Sequence, residues 1–153
     1  MKVIISSTGT SVYSEIRNSA ESEWENQISA SFRELEKGKT EEEFLVLVSA
    51  ETHSLHRIGI EKEDHLVFLT SDTPEGKFCA KHIEKLSQKY FHCSTEIIPL
   101  EGLQVDDAEL FRRTGIRNLF EKLRQLSEVH WETEILINAT GGFKSVVPYL
   151  SLY

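Results

Sequence analysis

The spacing of hydrophobic positions along this chain changes period repeatedly, and each change marks an element. Val3, Ile4 and Ile5 stand in a row within Lys2–Ser6, the β-branched run of a strand buried on both faces. The period then lengthens. Trp24, Ile28, Phe32 and Leu35 recur at helical intervals up to Gly38, and Ser22 with Glu25 has capping-box spacing at the start. Thr40 and Glu43 repeat that signature, and Phe44, Leu45, Val48 and Leu55 predict one further helix that fades near Gly59. Leu66–Thr70 is a second apolar run. Ser71, Asp72, Thr73 and Pro74 follow it as loop, cap and first-turn proline of a helix striped by Cys79, Ile83, Leu86 and Tyr90. Thr95–Leu100 predicts a third strand with Pro99 near its end. Asp106 or Asp107 can cap a long helix carrying Leu110, Phe111, Leu119, Phe120, Leu123 and Leu126, with Gly115 a tolerated weak point inside it. Glu134–Asn138 is the fourth strand, and Val146, Val147, Tyr149 and Leu150 open another helix.

Strands alternating with helices predict an α/β fold: a Rossmann-like parallel sheet with helices on both faces, in three α/β/α layers joined by right-handed crossovers. The 153 residues fit one domain, 1–153, and 39% hydrophobic content supplies one core. The last helix breaks off at Tyr153, so the polypeptide is expected to continue beyond it.

Charge and composition narrow the function classes. A net charge of −8 argues against duplex nucleic acid, which needs clustered Lys and Arg. Any anionic ligand must be small and held locally. No run approaches the roughly 20 apolar residues of a membrane span, and no basic leader precedes the first strand. A cytoplasmic protein is expected, with Cys79 and Cys93 as buried thiols rather than a bridge.

In a parallel sheet, ligands settle outside the carboxyl ends of the strands. Four loops emerge there, namely Ser7-Thr8-Gly9-Thr10-Ser11, Ser71-Asp72-Thr73, Glu101-Gly102-Leu103-Gln104, and Asn138-Ala139-Thr140-Gly141-Gly142-Phe143-Lys144. They hold hydroxyls, glycines, amides and a single lysine. Small residues let backbone N–H groups approach phosphate oxygens, and Lys144 after a double glycine can deliver a point charge to one. Neither the dinucleotide fingerprint nor a Walker loop occurs, so ordinary NAD or ATP binding is disfavoured and a nucleotide-dependent oxidoreductase is a remote reading.

Together these loops resemble those of CARF domains of type III CRISPR systems. The stretch from Asn138 to Lys144 with its continuation into Pro148-Tyr149 is the most specific part, and Thr8-Gly9-Thr10-Ser11 is moderately so. The resemblance implies a homodimer with a cyclic oligoadenylate on its two-fold axis, usually cyclic tetra-adenylate and sometimes cyclic hexa-adenylate. Some such proteins cleave the ring, while others sense it and switch on a fused effector such as a HEPN ribonuclease. It further implies ligand contacts from Thr8, Gly9 and Thr10, from Ser71, Asp72 and Thr73, from Gln104, and from Asn138, Thr140, Gly141, Gly142 and Phe143.

Ring cleavage in these proteins needs no metal and no cofactor. A ribose 2′-hydroxyl attacks the adjacent phosphorus and leaves a 2′,3′-cyclic phosphate, so the protein only aligns atoms and stabilises charge. Lys144 is the candidate for charge stabilisation, with Ser11 or Thr10 fixing the scissile phosphate. No histidine lies in the four loops, which predicts slow turnover. Asp72 serves equally well as a helix cap. Arg124 and His130 have HEPN-like spacing in the wrong structural context, and Cys79, His82, His92 and Cys93 fit no zinc spacing, reading instead as core thiols and surface histidines. Glu41-Glu42-Glu43 reads as a favourable first helical turn, and Arg112-Arg113 as a solvated helix face.

Overall fold

Four strands, β1 (Lys2–Ser7), β2 (His65–Ser71), β3 (Ser94–Leu100) and β4 (Glu134–Asn138), pair in parallel in the order β3-β2-β1-β4. The structure is a computed structural model and describes residues 1–12, 18–104, 106–141 and 146–151. The strands alternate their side chains between two buried faces. Val3, Ile5, Val67 and Leu69 point to one side and Ile4, Leu66 and Phe68 to the other, each at most 1% exposed. Each such side chain contributes about 1.5–3 kcal/mol of burial.

Helices cover both faces, giving the three-layer architecture that the alternation of patterns predicts. Between β1 and β2 run α1 (Trp24–Glu36), α2 (Glu41–Val48) and α3 (Ala50–Ile58), and between β2 and β3 runs α4 (Pro74–Phe91). Trp24, Ile28, Leu55, Cys79 and Ile83 from these helices pack with Ile4, Leu66 and Phe68. The β3–β4 crossover takes the opposite face. It starts at α5 (Ala108–Leu110), passes through a π-helical turn at Phe111–Gly115 and continues as α6 (Ile116–Val129), whose Leu119, Leu123 and Leu126 meet Val3 and Val67. After β4, α7 (Val147–Leu150) adds Leu150 to that side. No described helix is long and apolar enough to cross a membrane.

Several local expectations change. The Ser22–Glu25 box does not form, because the chain enters α1 through a 3-10 turn at Glu21–Glu23 that takes Ser22 inside it. The Thr40–Glu43 box does form, with Glu43 N–H on Thr40 Oγ1 at 3.2 Å and Thr40 N–H on Glu43 Oε2 at 2.8 Å. Its helix is not continuous to Gly59. Ser49 is extended (φ −162°, ψ 160°), ends α2, and accepts the Thr52 N–H at 3.1 Å as the cap of α3. Thr73, rather than Asp72, caps α4. Gly115 is a close-packing position and not merely a weak point: a Cβ there would overlap the Gly102 carbonyl, and Gly102 itself has φ +75°. His82 is buried at 5% exposure, its Nδ1 3.0 Å from the Phe78 carbonyl and Nε2 3.3 Å from Glu25, which corrects its reading as a surface histidine.

Candidate functional site

Winding reverses direction between β1 and β4. Crossovers from β1 and β2 lie on one face and the crossover into β4 on the other, so the loops leaving these two adjacent strands diverge and open a crevice at the carboxyl edge. The loops after β1 and β4 flank it. Two hydrogen-bonded links join them, one at Gly141 and one through α3.

Ser7 donates its hydroxyl to the Gly141 carbonyl. Asn138, 5% exposed, donates from Nδ2 to Ser6 Oγ at 3.1 Å, while its Oδ1 accepts from Ser54 at 2.7 Å and from Thr140 at 2.8 Å. Ser54 and Thr140 hydroxyls also lie 2.9 Å apart. Glu51, one turn earlier on α3, is 1% exposed. Its Oε1 accepts the Gly9 N–H at 2.7 Å and its Oε2 accepts the Ser11 hydroxyl at 3.4 Å. The bare Gly141 makes room for it, since a Cβ there would overlap the Glu51 side chain. Sitting in the first turn of α3, the carboxylate also meets the positive end of the helix dipole.

The expected site residues therefore divide. Gly9, Ser11, Asn138, Thr140 and Gly141 come together around Glu51 and Ser54. Thr10 is exposed on the same loop. Thr8 is 3% exposed and turned inward, its hydroxyl donating to the Leu69 carbonyl at 3.2 Å. Ser71 is 2% exposed with its hydroxyl 2.8 Å from that of Thr73, and Asp72 stands exposed between them. Gln104 lies after β3, three strands from β4 and roughly 14 Å away at ordinary strand spacing. Its Oε1 accepts the Asp106 N–H at 3.1 Å, and Gly102 against Gly115 pins the loop. Gly142, Phe143 and Lys144 lie outside the described residues.

Beside Thr140 a cavity of about 350 Å³ is lined by Ala50, His53, Ser54, Arg57, Ile58 and Thr140. Thus α3 adds to the loops a buried carboxylate and a further hydroxyl, together with an imidazole and an exposed guanidinium, two groups that the four loops do not contain. The sequence carried one signal for this. Glu51 and Thr52 fall between Val48 and Leu55 on the apolar stripe, and a carboxylate placed at buried spacing demands partners. Elsewhere the decoys resolve simply. Cys79 is buried at 0% and Cys93 at 7%, and burial pushes the Cys93 thiol up, away from thiolate chemistry. Arg124 pairs with Glu128 on α6, and Arg112 and Arg113 pair with Glu109.

No curated protein matches the chain. The family model described as CRISPR-associated protein (Cas_APE2256) matches residues 46–153, a span that begins within α2 and takes in Glu51, Ser54 and the loop after β4. With more than half of its length so matched, the chain belongs to this CRISPR-associated family.

Proposed function

We propose that the chain binds a small cyclic oligoadenylate, cyclic tetra-adenylate first, at the β1/β4 crevice and cuts it without metal into linear products with 2′,3′-cyclic phosphate ends. The observation that carries this reading is the joining of the two hydroxyl- and glycine-rich loops at the winding reversal, the place where open parallel sheets receive nucleotides. Membership of a CRISPR-associated family supports it. So does the adjoining cavity, which sets the Arg57 guanidinium and the paired Ser54 and Thr140 hydroxyls beside the crevice, a lining suited to a phosphodiester and its ribose. A two-fold ligand calls for a two-fold protein, so two copies of the chain share one ring, each supplying half of the site.

In this reading Lys144 neutralises charge on the scissile phosphoryl group and Thr10 contacts it from the β1 loop. The test is incubation of the protein with cyclic tetra-adenylate in EDTA, products followed by chromatography, with Lys144→Ala alongside. Conversion to cyclic-phosphate products, slowed by at least about 100-fold in the variant, is the expected result. Tight binding without products would make the chain a sensor, and failure to bind cyclic tetra- or hexa-adenylate would refute the reading.

A further inference from the structure

Ser54 and Thr140 open onto the cavity of about 350 Å³ beside the β1/β4 crevice, a volume within the range of small-molecule sites. What they can bond there is decided by Asn138. Ser6 donates its hydroxyl to the Ser7 carbonyl at 3.4 Å, so its oxygen is left to accept, and the Asn138 amide must turn Nδ2 toward it at 3.1 Å. Oδ1 therefore faces α3, where it accepts from Ser54 at 2.7 Å and from Thr140 at 2.8 Å.

A hydroxyl has one proton and two lone pairs. With both protons committed to Asn138 Oδ1, the Ser54 and Thr140 oxygens lie 2.9 Å apart with no proton between them and present only lone pairs to the cavity. Such a pair repels a phosphate oxygen and takes a donor. Arg57 is the opposite, since a guanidinium offers only donors and a charge. It lines the same cavity one turn beyond Ser54 on α3, roughly 5–6 Å away between Cβ atoms. A ribonucleotide carries the complementary pattern on neighbouring atoms: the ribose 2′-hydroxyl donates, and the phosphodiester on the adjoining 3′-oxygen accepts.

We propose that this cavity is a sugar-reading subsite, in which Ser54 and Thr140 accept a hydrogen bond from a ribose 2′-hydroxyl and Arg57 holds the phosphate next to it; this rests on the functional reading above. The subsite favours ribose over 2′-deoxyribose, because a deoxy sugar leaves the two oxygens facing a C–H and their repulsion unrelieved. Two copies of the chain bring two such cavities to a ring of four riboses. Half of the sugars are held against α3, and the other half are left for the cutting step.

The probes are cyclic tetra-adenylate and the ring of the same size made from 2′-deoxyadenylate, each carrying a fluorophore, with binding read by rapid mixing before any turnover. Wild type should bind the ribose ring at least about tenfold more tightly, the worth of roughly one hydrogen bond. In the Ser54→Ala, Thr140→Val double variant that preference should fall below about threefold, with the deoxy ring bound about as well as by wild type. Arg57→Ala should weaken both rings alike, by about tenfold, and leave the preference in place. Thermal unfolding is followed beside each variant, and Thr140→Val alone, at an exposed position, should lower the preference and carries the test if the double variant unfolds. Wild type that binds the two rings within about threefold of each other, or variants lacking the hydroxyls that keep the full preference, overturn the sugar subsite and leave ring binding standing. Loss of the preference in Arg57→Ala, with both hydroxyls intact, overturns it as well. Wild type that binds neither ring overturns both the subsite and the functional reading.

Discussion

Asn138 ends β4 with its side-chain amide turned inward, toward Ser6, Ser54 and Thr140. Asn138→Ala leaves the buried Ser6 hydroxyl without that partner while the more open Ser54 and Thr140 can turn to each other or to water, and should cost about 1–3 kcal/mol in urea denaturation. Gly141→Ala should be worse for the site than for stability, because the new methyl must displace Glu51. Ring binding measured by calorimetry should drop by at least about tenfold while the fold, followed by circular dichroism, persists. The loops themselves were legible in the sequence, since small polar residues directly after apolar runs can be read without any tertiary knowledge. Ser54, His53 and Arg57 were not, because what makes them part of the site is how α3 packs beside the loop after β4, and Glu51 left only the weak signal of a carboxylate at buried helical spacing.

At the element scale α3 exists as a separate helix because α2 ends at Ser49 and α3 is capped by it. The apolar positions from Phe44 to Leu55 keep one helical rhythm across it, so periodicity alone predicted one helix where the chain makes two. The break depends on a hydroxyl accepting one N–H, which a hydrophobic pattern does not register. Ser49→Ala should cost about 1 kcal/mol by denaturation, the usual worth of a cap. The strands, by contrast, came out within a residue or two of their expected ends: β1 and β2 are apolar runs buried on both faces, and the less buried β3 and β4 are still bounded by polar and turn residues that mark where they stop. Asp64 ties the start of β1 to the turn before β2. Burial raises its carboxyl, but N–H bonds from Glu61 and Lys2 and the Lys2 charge outweigh burial and hold it below the ordinary 3.8. A group with a lowered folded value stabilises above its unfolded value and loses that contribution as pH falls through the folded one. The stability gap between wild type and Asp64→Asn should thus be full at pH 5 to 7 and shrink as pH drops below about 4, as followed by thermal unfolding across that range.

At the scale of the whole molecule, a ring bound only by the folded protein must raise its apparent stability. Cyclic tetra-adenylate at 100 times its Kd should add about 2.7 kcal/mol, seen as a higher midpoint in calorimetry, and sedimentation should show two chains per ring. The net charge of −8 makes this binding depend on a few local cations, so Lys144→Ala and Arg57→Ala should each reduce it more than loss of any cation on α6. The strand order has a consequence for synthesis. As the polypeptide leaves the ribosome, β1, β2 and β3 can pair while β4 is still to be made, which leaves one side of the central strand β1 bare until residue 138 has emerged. For that interval the nascent sheet presents an unpaired apolar edge, the kind of surface on which chains aggregate and chaperones act. The crevice comes into being at the moment that edge is sealed, so under the proposed function a half-made chain has no site for the ring.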